Sequence, residues 1–208
     1  MAFSFISPSF PLILASASPR RRRLLEQMGL PFETASSNID EKSDGDQPRA
    51  LTCMLAQKKA EAACSSFPDR WILGADTVVA LRDTILGKPS GPDDARRMLE
   101  ALSGRDHTVV TGFTVLDPSG TAVHSESVET IVRFKHLTAS EVVEYVNTGE
   151  PFGKAGGYAI QGIGAFMVEG ITGSYTNVVG LPLCSVIKAL IAVKGLAHFP
   201  FSASASAG

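Results

Sequence analysis

A short strand followed by a helix that starts with four arginines is the first feature that suggests chemistry. The segment is Ser16-Ala-Ser-Pro-Arg-Arg-Arg-Arg23, in which Ser18 and Pro19 are typical of a helix N-cap and first turn. Arginines are unfavourable at this end of a helix, because it carries partial positive charge. A bound phosphate would remove the conflict, since backbone N–H groups, serine hydroxyls and arginines would all donate to it.

The four arginines cannot all face one ligand, because a helix turns by about 100° per residue. We expect Arg20 and Arg21 to bind the phosphate together with Ser16, since they are nearest the free N–H groups. Arg22 and Arg23 are expected to face solvent or a neighbouring helix. The alternative is a helix with a merely basic surface.

Asp76 is the candidate catalytic residue, because it interrupts the apolar run from Trp71 to Leu81. A carboxylate in a buried strand is costly unless a lysine, an arginine or a metal compensates it. Beside Mg²⁺, Asp76 could orient a water molecule or accept its proton. The alternative is that Asp76 marks the end of the strand and caps local N–H groups.

Three weaker signals come from charged residues elsewhere. The loop Asp40-Glu41-Lys42 could place Glu41 opposite Asp76 as a second oxygen ligand for a hard cation. Lys88 lies in the stiff turn Gly87-Lys-Pro89, and Lys59 lies on a helix, so either could bind phosphate. For each alone, a solvated surface residue is the simpler interpretation.

The glycine-rich segment Lys154–Gly162 could approach a flat ligand closely. Gln161 in it can both donate and accept, which suits recognition of a base edge. The sequence has no P-loop, no Gly-x-Ser-x-Gly motif and no metal-ligand spacing among its histidines. A Ser-His-Asp hydrolase is therefore unsupported, and direct attack by metal-assisted water is the remaining route.

The apolar patterns predict an α/β fold, a mixed twisted sheet flanked by helices. The chain length allows either one domain with a substantial core or two small lobes around a cleft. Helices are predicted at 18–28, 48–65, 91–102, 138–147 and 182–193. The second of them is expected to carry Leu51, Leu55 and Ala62 on one side. Strands are predicted at 12–15, 31–39, 71–81, 107–116 and 122–134, with short strands in the glycine-rich region 149–173. We expect a loose segment at 1–10, one domain at 11–196 and a flexible tail at 197–208.

Composition narrows the functional class. The chain has 208 residues, 44% hydrophobic and 19% charged, with a net charge of −2. Nothing in this balance attracts nucleic acid, and no apolar run is long enough to span a membrane. The three cysteines lack the spacing of a zinc site or a disulfide framework, which favours a reducing compartment. We therefore expect a cytoplasmic protein with neither nucleic acid nor membrane as a partner.

The ordered set of motifs resembles the Maf family of nucleoside triphosphate pyrophosphatases. The matching segments cover residues 12 to about 194 and are Ser16–Arg21, Asp40-Glu41, Leu55–Ala60, Gly74–Val79, Gly87–Pro89, Ser103-Gly104, Val110–Gly112, Lys154–Gly162 and Gly173–Pro182. The resemblance implies a single catalytic domain with a mixed α/β fold, two lobes around a deep cleft, often dimeric. It also implies hydrolysis of a nucleoside triphosphate to a monophosphate and pyrophosphate, dependent on a divalent cation such as Mg²⁺ or Mn²⁺.

The resemblance also implies roles for individual residues. Asp76 would be the proton acceptor and a metal ligand with Glu41, and phosphate contacts would come from Ser16, Arg21, Lys59 and Lys88. Arg20, Thr77 and Gln161 would tune base choice, and their identities resemble the dTTP/UTP group, with modified pyrimidine triphosphates as a plausible house-cleaning target. The runner-up function is a nucleotide-binding regulator of cell division without turnover, and a nucleotidyltransferase ranks third.

Overall fold

One mixed sheet organises the protein. The computed structural model describes residues 3–36, 39 and 47–200, and within them seven strands form a sheet in the order β2-β1-β3-β5-β6-β7, with β4 paired to β3. The strands are β1 Leu12–Ala15, β2 Phe32–Ala35, β3 Ile72–Leu81, β4 Thr84–Leu86, β5 Asp106–Leu116, β6 Ala122–Phe134 and β7 Val168–Thr172. Strand β1 is parallel to β2 and β3, and the remaining pairs are antiparallel. The predicted mixed α/β fold is confirmed.

Six helices flank the sheet in the described part of the chain. They are α1 Pro19–Gln27, α2 Pro48–Cys64, α3 Pro92–Leu102, α4 Ala139–Asn147, α5 Tyr175–Val179 and α6 Leu183–Ala192. The local signals act as predicted: Gly29 follows α1 with a positive φ of 65°, and Thr138 and Glu141 form the capping box of α4. Two 3₁₀ turns, Ala155–Gly157 and Ile163–Met167, lie in the glycine-rich region.

Side chains of β3 alternate between the two faces of the sheet. One face packs against α2. On this face Ile72 packs in an apolar cluster with Ala60, and Val78 packs in a second cluster with Leu51. The opposite face carries two apolar clusters. One contains Ala75 and residues of α1 and α6, and the other contains Val79 and residues of α3 and α4. Thr77 lies between Ala75 and Val79 on this face, and therefore between the two clusters, where it lines a cleft.

Two expectations about local structure were wrong. Ala62 is exposed and Ala63 is the buried residue of that turn, because α2 presents Ala60 and Ala63 to the sheet. Region 149–173 contains a single strand, β7, since its glycines favour tight turns. The loose character of residues 1–10 stays a prediction; in the described part of that segment Ile6 is buried, and the Trp71 indole donates to the Ser4 carbonyl.

Two other expectations stay untested by the structure. Most of the predicted tail, residues 201–208, lies outside the described residues. The division into two lobes stays a prediction. No helix among the described residues has the length and apolar character needed to cross a bilayer.

Candidate functional site

A cleft of about 910 Å³ opens where one edge of β3 lacks a neighbouring strand. On that edge, β1 pairs with residues 72–74 and β4 with residues 79–81. The free edge of Ala75–Val78 therefore has no neighbouring strand in the described part of the chain, and Asp76, Thr77 and Val78 line the cleft there. The lining includes the predicted residues Ser16, Arg20, Arg21, Lys59, Asp76, Thr77, Lys88 and Gln161. The remaining one, Glu41, lies outside the described residues.

Asp76 and Lys59 form a buried ion pair in this cleft. Lys59 Nζ donates to Asp76 Oδ1 over 2.6 Å, and the two residues are only 7% and 8% exposed. Lys59 thus supplies a cationic partner of the kind that a carboxylate inside a strand requires. The lysine also holds the carboxylate in one orientation at the open edge of the strand.

Glycines explain how α2 comes close enough for this pair to form. A Cβ on Gly74 would stand 2.0 Å from the Ala56 carbonyl oxygen, and one on Gly112 would stand 2.3 Å from the carbonyl carbon of Thr52. Gly112 is the cross-strand partner of Asp76 on β5. Helix α2 therefore packs directly on the backbone of β3 and β5, and this close packing brings Lys59 within hydrogen-bond distance of Asp76.

Arg21 connects three separate parts of the chain. Its Nε donates to the Gly180 carbonyl over 2.6 Å, and one terminal nitrogen donates to the Ala75 carbonyl and Ser16 Oγ over 2.9 and 3.1 Å. The other terminal nitrogen donates to Thr77 Oγ1 over 2.9 Å. Arg21 is only 8% exposed, and its guanidinium joins α1, β3 and the end of α5 around the cleft.

The other arginines of α1 divide as helical geometry predicts. Arg22 forms an exposed ion pair with Glu26 one turn later, and Arg23 is exposed. Arg20 lines the cleft, and burial lowers the pKa of its guanidinium. The positive end of the helix therefore presents Arg20 to the cleft and leaves Arg22 and Arg23 to solvent.

Lys154 also lines the cleft, although sequence analysis assigned it no role. Burial lowers the pKa of its amine, and the nearby positive charge of Arg20 lowers it further. Two half-buried cations that repel each other destabilise the free protein, and a bound polyanion would relieve that repulsion. The signal was present in the sequence, since Lys154 is the only charged residue of the segment 154–162.

The predicted base readers occupy two different environments. Gln161 is exposed on the lining of the cleft, and its amide has no hydrogen-bond partner in the described part of the chain. The Thr77 hydroxyl is bonded to Arg21 and, over 2.9 Å, to Thr111 Oγ1. Gln161 is thus available to a ligand, whereas Thr77 belongs to the network around Arg21.

His107 and Tyr158 form a buried pair behind the cleft that sequence reasoning missed. His107 Nε2 lies 2.8 Å from the Tyr158 hydroxyl, and Tyr158 lines the cleft. Burial lowers the pKa of His107 to about 4, although the charge of Asp106 opposes the shift, and burial raises the pKa of Tyr158. Both rings are therefore neutral near pH 7, and the pair supports the cleft wall without charge.

The donor set of the cleft fits a divalent cation that a substrate brings with it. Among the described residues, none group as three or more His, Cys, Asp or Glu side chains, and Asp76 is the only carboxylate that lines the cleft. Mg²⁺ is commonly bound by one or two carboxylates together with substrate phosphates. Asp76 could therefore hold such an ion against a triphosphate, with Glu41 as the predicted second ligand.

Comparison with known proteins places the chain, including the residues of this cleft, in a known family. The sequence model of the family described as "Maf-like protein" matches residues 11–193, which include the lining residues given above. This chain belongs to the Maf family. A "dTTP/UTP pyrophosphatase" of Syntrophus aciditrophicus (strain SB) is 48% identical over 180 residues, which cover 86% of this chain and 88% of that one.

A second Maf relative shows a similar degree of identity. The "dTTP/UTP pyrophosphatase" of Geobacter sp. (strain M21) is 49% identical over 188 residues, or 90% of this chain and 97% of that one. A crystal structure titled nucleoside-triphosphatase / dITP/XTP pyrophosphatase, from Mycobacterium abscessus, aligns with a TM-score of 0.42 at 16% identity. That alignment covers 62% of this chain and 76% of the other.

Proposed function

We propose that this protein hydrolyses dTTP and UTP between the α and β phosphates, releasing a nucleoside monophosphate and pyrophosphate. The observation that carries the proposal is the buried Asp76–Lys59 pair at the open edge of β3, in one cleft with Arg20, Lys88 and Lys154. The cleft combines a fixed carboxylate with cations for a polyphosphate. The dTTP/UTP pyrophosphatases that are 48–49% identical to the chain support this choice of substrate.

Asp76 is the proposed general base. Lys59 occupies Oδ1, which leaves the other carboxylate oxygen to accept a proton from an attacking water molecule. The water oxygen forms a bond to the α-phosphorus, and the bond to the oxygen bridging to the β-phosphorus breaks. Pyrophosphate leaves with that electron pair. A divalent cation held by Asp76 and Glu41 would neutralise phosphate charge during this step.

The phosphate end of the substrate is assigned to the start of α1 and the facing lysines. Ser16 Oγ accepts hydrogen bonds from Arg21 and from the Ser18 amide, so its own proton is available to a phosphate oxygen. Arg20, Lys88 and Lys154 surround the same cleft and would supply positive charge. Gln161 would read the base edge with its amide. The homodimer and the cytoplasmic location stay predictions.

Pyrophosphate release from a panel of triphosphates tests the function. The panel contains dTTP, UTP, CTP, GTP and 7-methyl-GTP, each with Mg²⁺ or Mn²⁺ and with EDTA. We expect release that requires the cation and favours dTTP and UTP. Release that favours 7-methyl-GTP would overturn the substrate choice. Binding of dTTP without release from any nucleotide would instead support the non-catalytic regulator.

A further inference from the structure

A carboxylate outside the cleft holds the backbone on the far side of Gln161. Glu150, which follows α4, accepts the Gly164 amide over 2.8 Å through Oε2 and the Ile163 amide over 3.0 Å through Oε1. Burial acts to raise the pKa of Glu150, but these two amides and the Tyr145 hydroxyl outweigh it, and the pKa lies below the usual value. Glu150 is therefore ionised near pH 7 and binds the two amides as an anion.

Tyr145 holds the backbone on the near side of Gln161. Its hydroxyl donates to Glu150 Oε2 over 2.7 Å and accepts the Ala159 amide over 3.2 Å. The Tyr145 side chain belongs to the core beneath α4 and is 2% exposed. One buried hydroxyl thus links the rigid helix α4, the carboxylate of Glu150 and the chain that lines the cleft.

Two glycines leave room for this arrangement. A Cβ on Gly162 would stand 1.8 Å from Glu150 Oε1, and a Cβ on Gly164 would stand 2.6 Å from the Tyr145 hydroxyl. The chain therefore passes directly against both polar groups. Only residues 160–162 lie between the anchored amides of Ala159 and Ile163.

We infer that Tyr145 and Glu150 are positioning residues for base selection, because they fix the backbone on both sides of Gln161. The inference rests on the proposed function, in which Gln161 reads the base. The Gln161 amide has no partner of its own among the described residues, so its place in the cleft depends on the backbone that carries it. Among the described residues, the Tyr145 side chain hydrogen-bonds to none of the proposed phosphate-binding residues, whereas Glu150 meets Lys154 through its backbone carbonyl, which a side-chain substitution keeps.

The Tyr145→Phe variant tests the inference, because it removes one hydroxyl and keeps the ring in the core. We expect the ratio of kcat/KM for dTTP to that for GTP to fall roughly tenfold, because a displaced Gln161 amide would lose about one hydrogen bond to the base. The loss should appear as a higher KM for dTTP, with kcat within about twofold of the unmodified protein, because the residues around Asp76 are unchanged. Tyr175→Phe is the matched control, since Tyr175 is exposed and has no side-chain hydrogen bond among the described residues.

A double variant distinguishes positioning from general stability. If Tyr145 acts through Gln161, Tyr145→Phe should not lower the ratio further in a Gln161→Ala background. Glu150→Gln keeps one acceptor oxygen and should restore part of the ratio that Glu150→Ala loses. An unchanged ratio in Tyr145→Phe, or an equal fall in both backgrounds, would overturn the inference.

Binding measurements keep this test separate from the test of the reaction. Affinities for the α,β-imido analogues of dTTP and GTP are measured by calorimetry on the same variants. If the unmodified protein prefers the dTTP analogue but releases no pyrophosphate, the proposed reaction fails, and the affinity ratio still decides the role of Tyr145. If the unmodified protein binds the two analogues equally, base selection by this segment is refuted.

Discussion

The Lys59–Asp76 pair makes a quantitative prediction about stability. At 2.6 Å and an effective dielectric constant of about 20, the gross attraction is about 6 kcal/mol, much of which offsets the desolvation of two buried charges. Breaking a buried ion pair by removing one of its partners costs about 3–5 kcal/mol. We therefore expect Lys59→Met and Asp76→Asn each to lose about 3 kcal/mol of unfolding free energy.

The double variant Lys59→Met, Asp76→Asn provides the decisive comparison. It removes both charges of the Lys59–Asp76 pair, so its loss should be about 2 kcal/mol smaller than the sum of the two single losses. The measurement is urea denaturation at pH 7 with EDTA, so that no divalent cation contributes. Lys58→Met is the matched control, because Lys58 is the preceding residue of α2 and is exposed. Single losses that simply add in the double variant would refute the coupling.

The same variants separate folding from catalysis. Asp76→Asn should lower pyrophosphate release by roughly 10³-fold under conditions where circular dichroism shows it folded, as expected for loss of a general base. Lys58→Met should keep the activity of the unmodified protein. Undiminished release by folded Asp76→Asn would refute the assignment of Asp76 as the base.

Three further predictions concern packing, pH and specificity. Gly74→Ala should lose about 1–3 kcal/mol in urea denaturation, because its methyl group would meet the Ala56 carbonyl, whereas Gly170→Ala has open space and should change little. The folded pKa of His107, about 4, lies below the usual value near 6.5, so the unfolded chain binds its proton first as the pH falls. As the pH falls from 6.5 to 4, protonation of His107 should therefore lower the free energy of unfolding by up to about 3 kcal/mol. Thermal unfolding across this pH range should show a weaker pH dependence of stability in His107→Gln. Gln161→Glu, which loses the amide N–H donors, should change the ratio of dTTP to GTP turnover with little effect on the unfolding midpoint, and an unchanged ratio would exclude Gln161 as the base reader.

Much of the fold could be predicted from the sequence because its signals are local. Ser18 and Pro19 determine where α1 begins, and the capping box determines the start of α4. The apolar run around Asp76 predicted a central strand, and that strand has neighbours on both sides. Alternation along a strand and the period of a helix act over a few residues, so they can be read without knowledge of the tertiary contacts.

The glycine-rich region shows where this local reading fails. Its glycines indicated freedom of the backbone but not the form that the backbone takes. The contacts with Glu150 and Tyr145 decide that form, and those residues belong to α4 and the turn after it. A segment shaped by distant polar groups has no periodicity of its own to indicate its structure.

The sequence by itself determined that a carboxylate at position 76 would require a cation and that arginines at the start of α1 would favour an anion. Only the tertiary structure decided that Lys59 is that cation, that Arg21 turns inward to the protein, and that Lys154 stands near Arg20. The cost of a buried charge follows from the residue and its immediate neighbours. The partner that offsets it depends on the strand order and on how closely α2 approaches the sheet at Gly74, and contacts between distant segments set both.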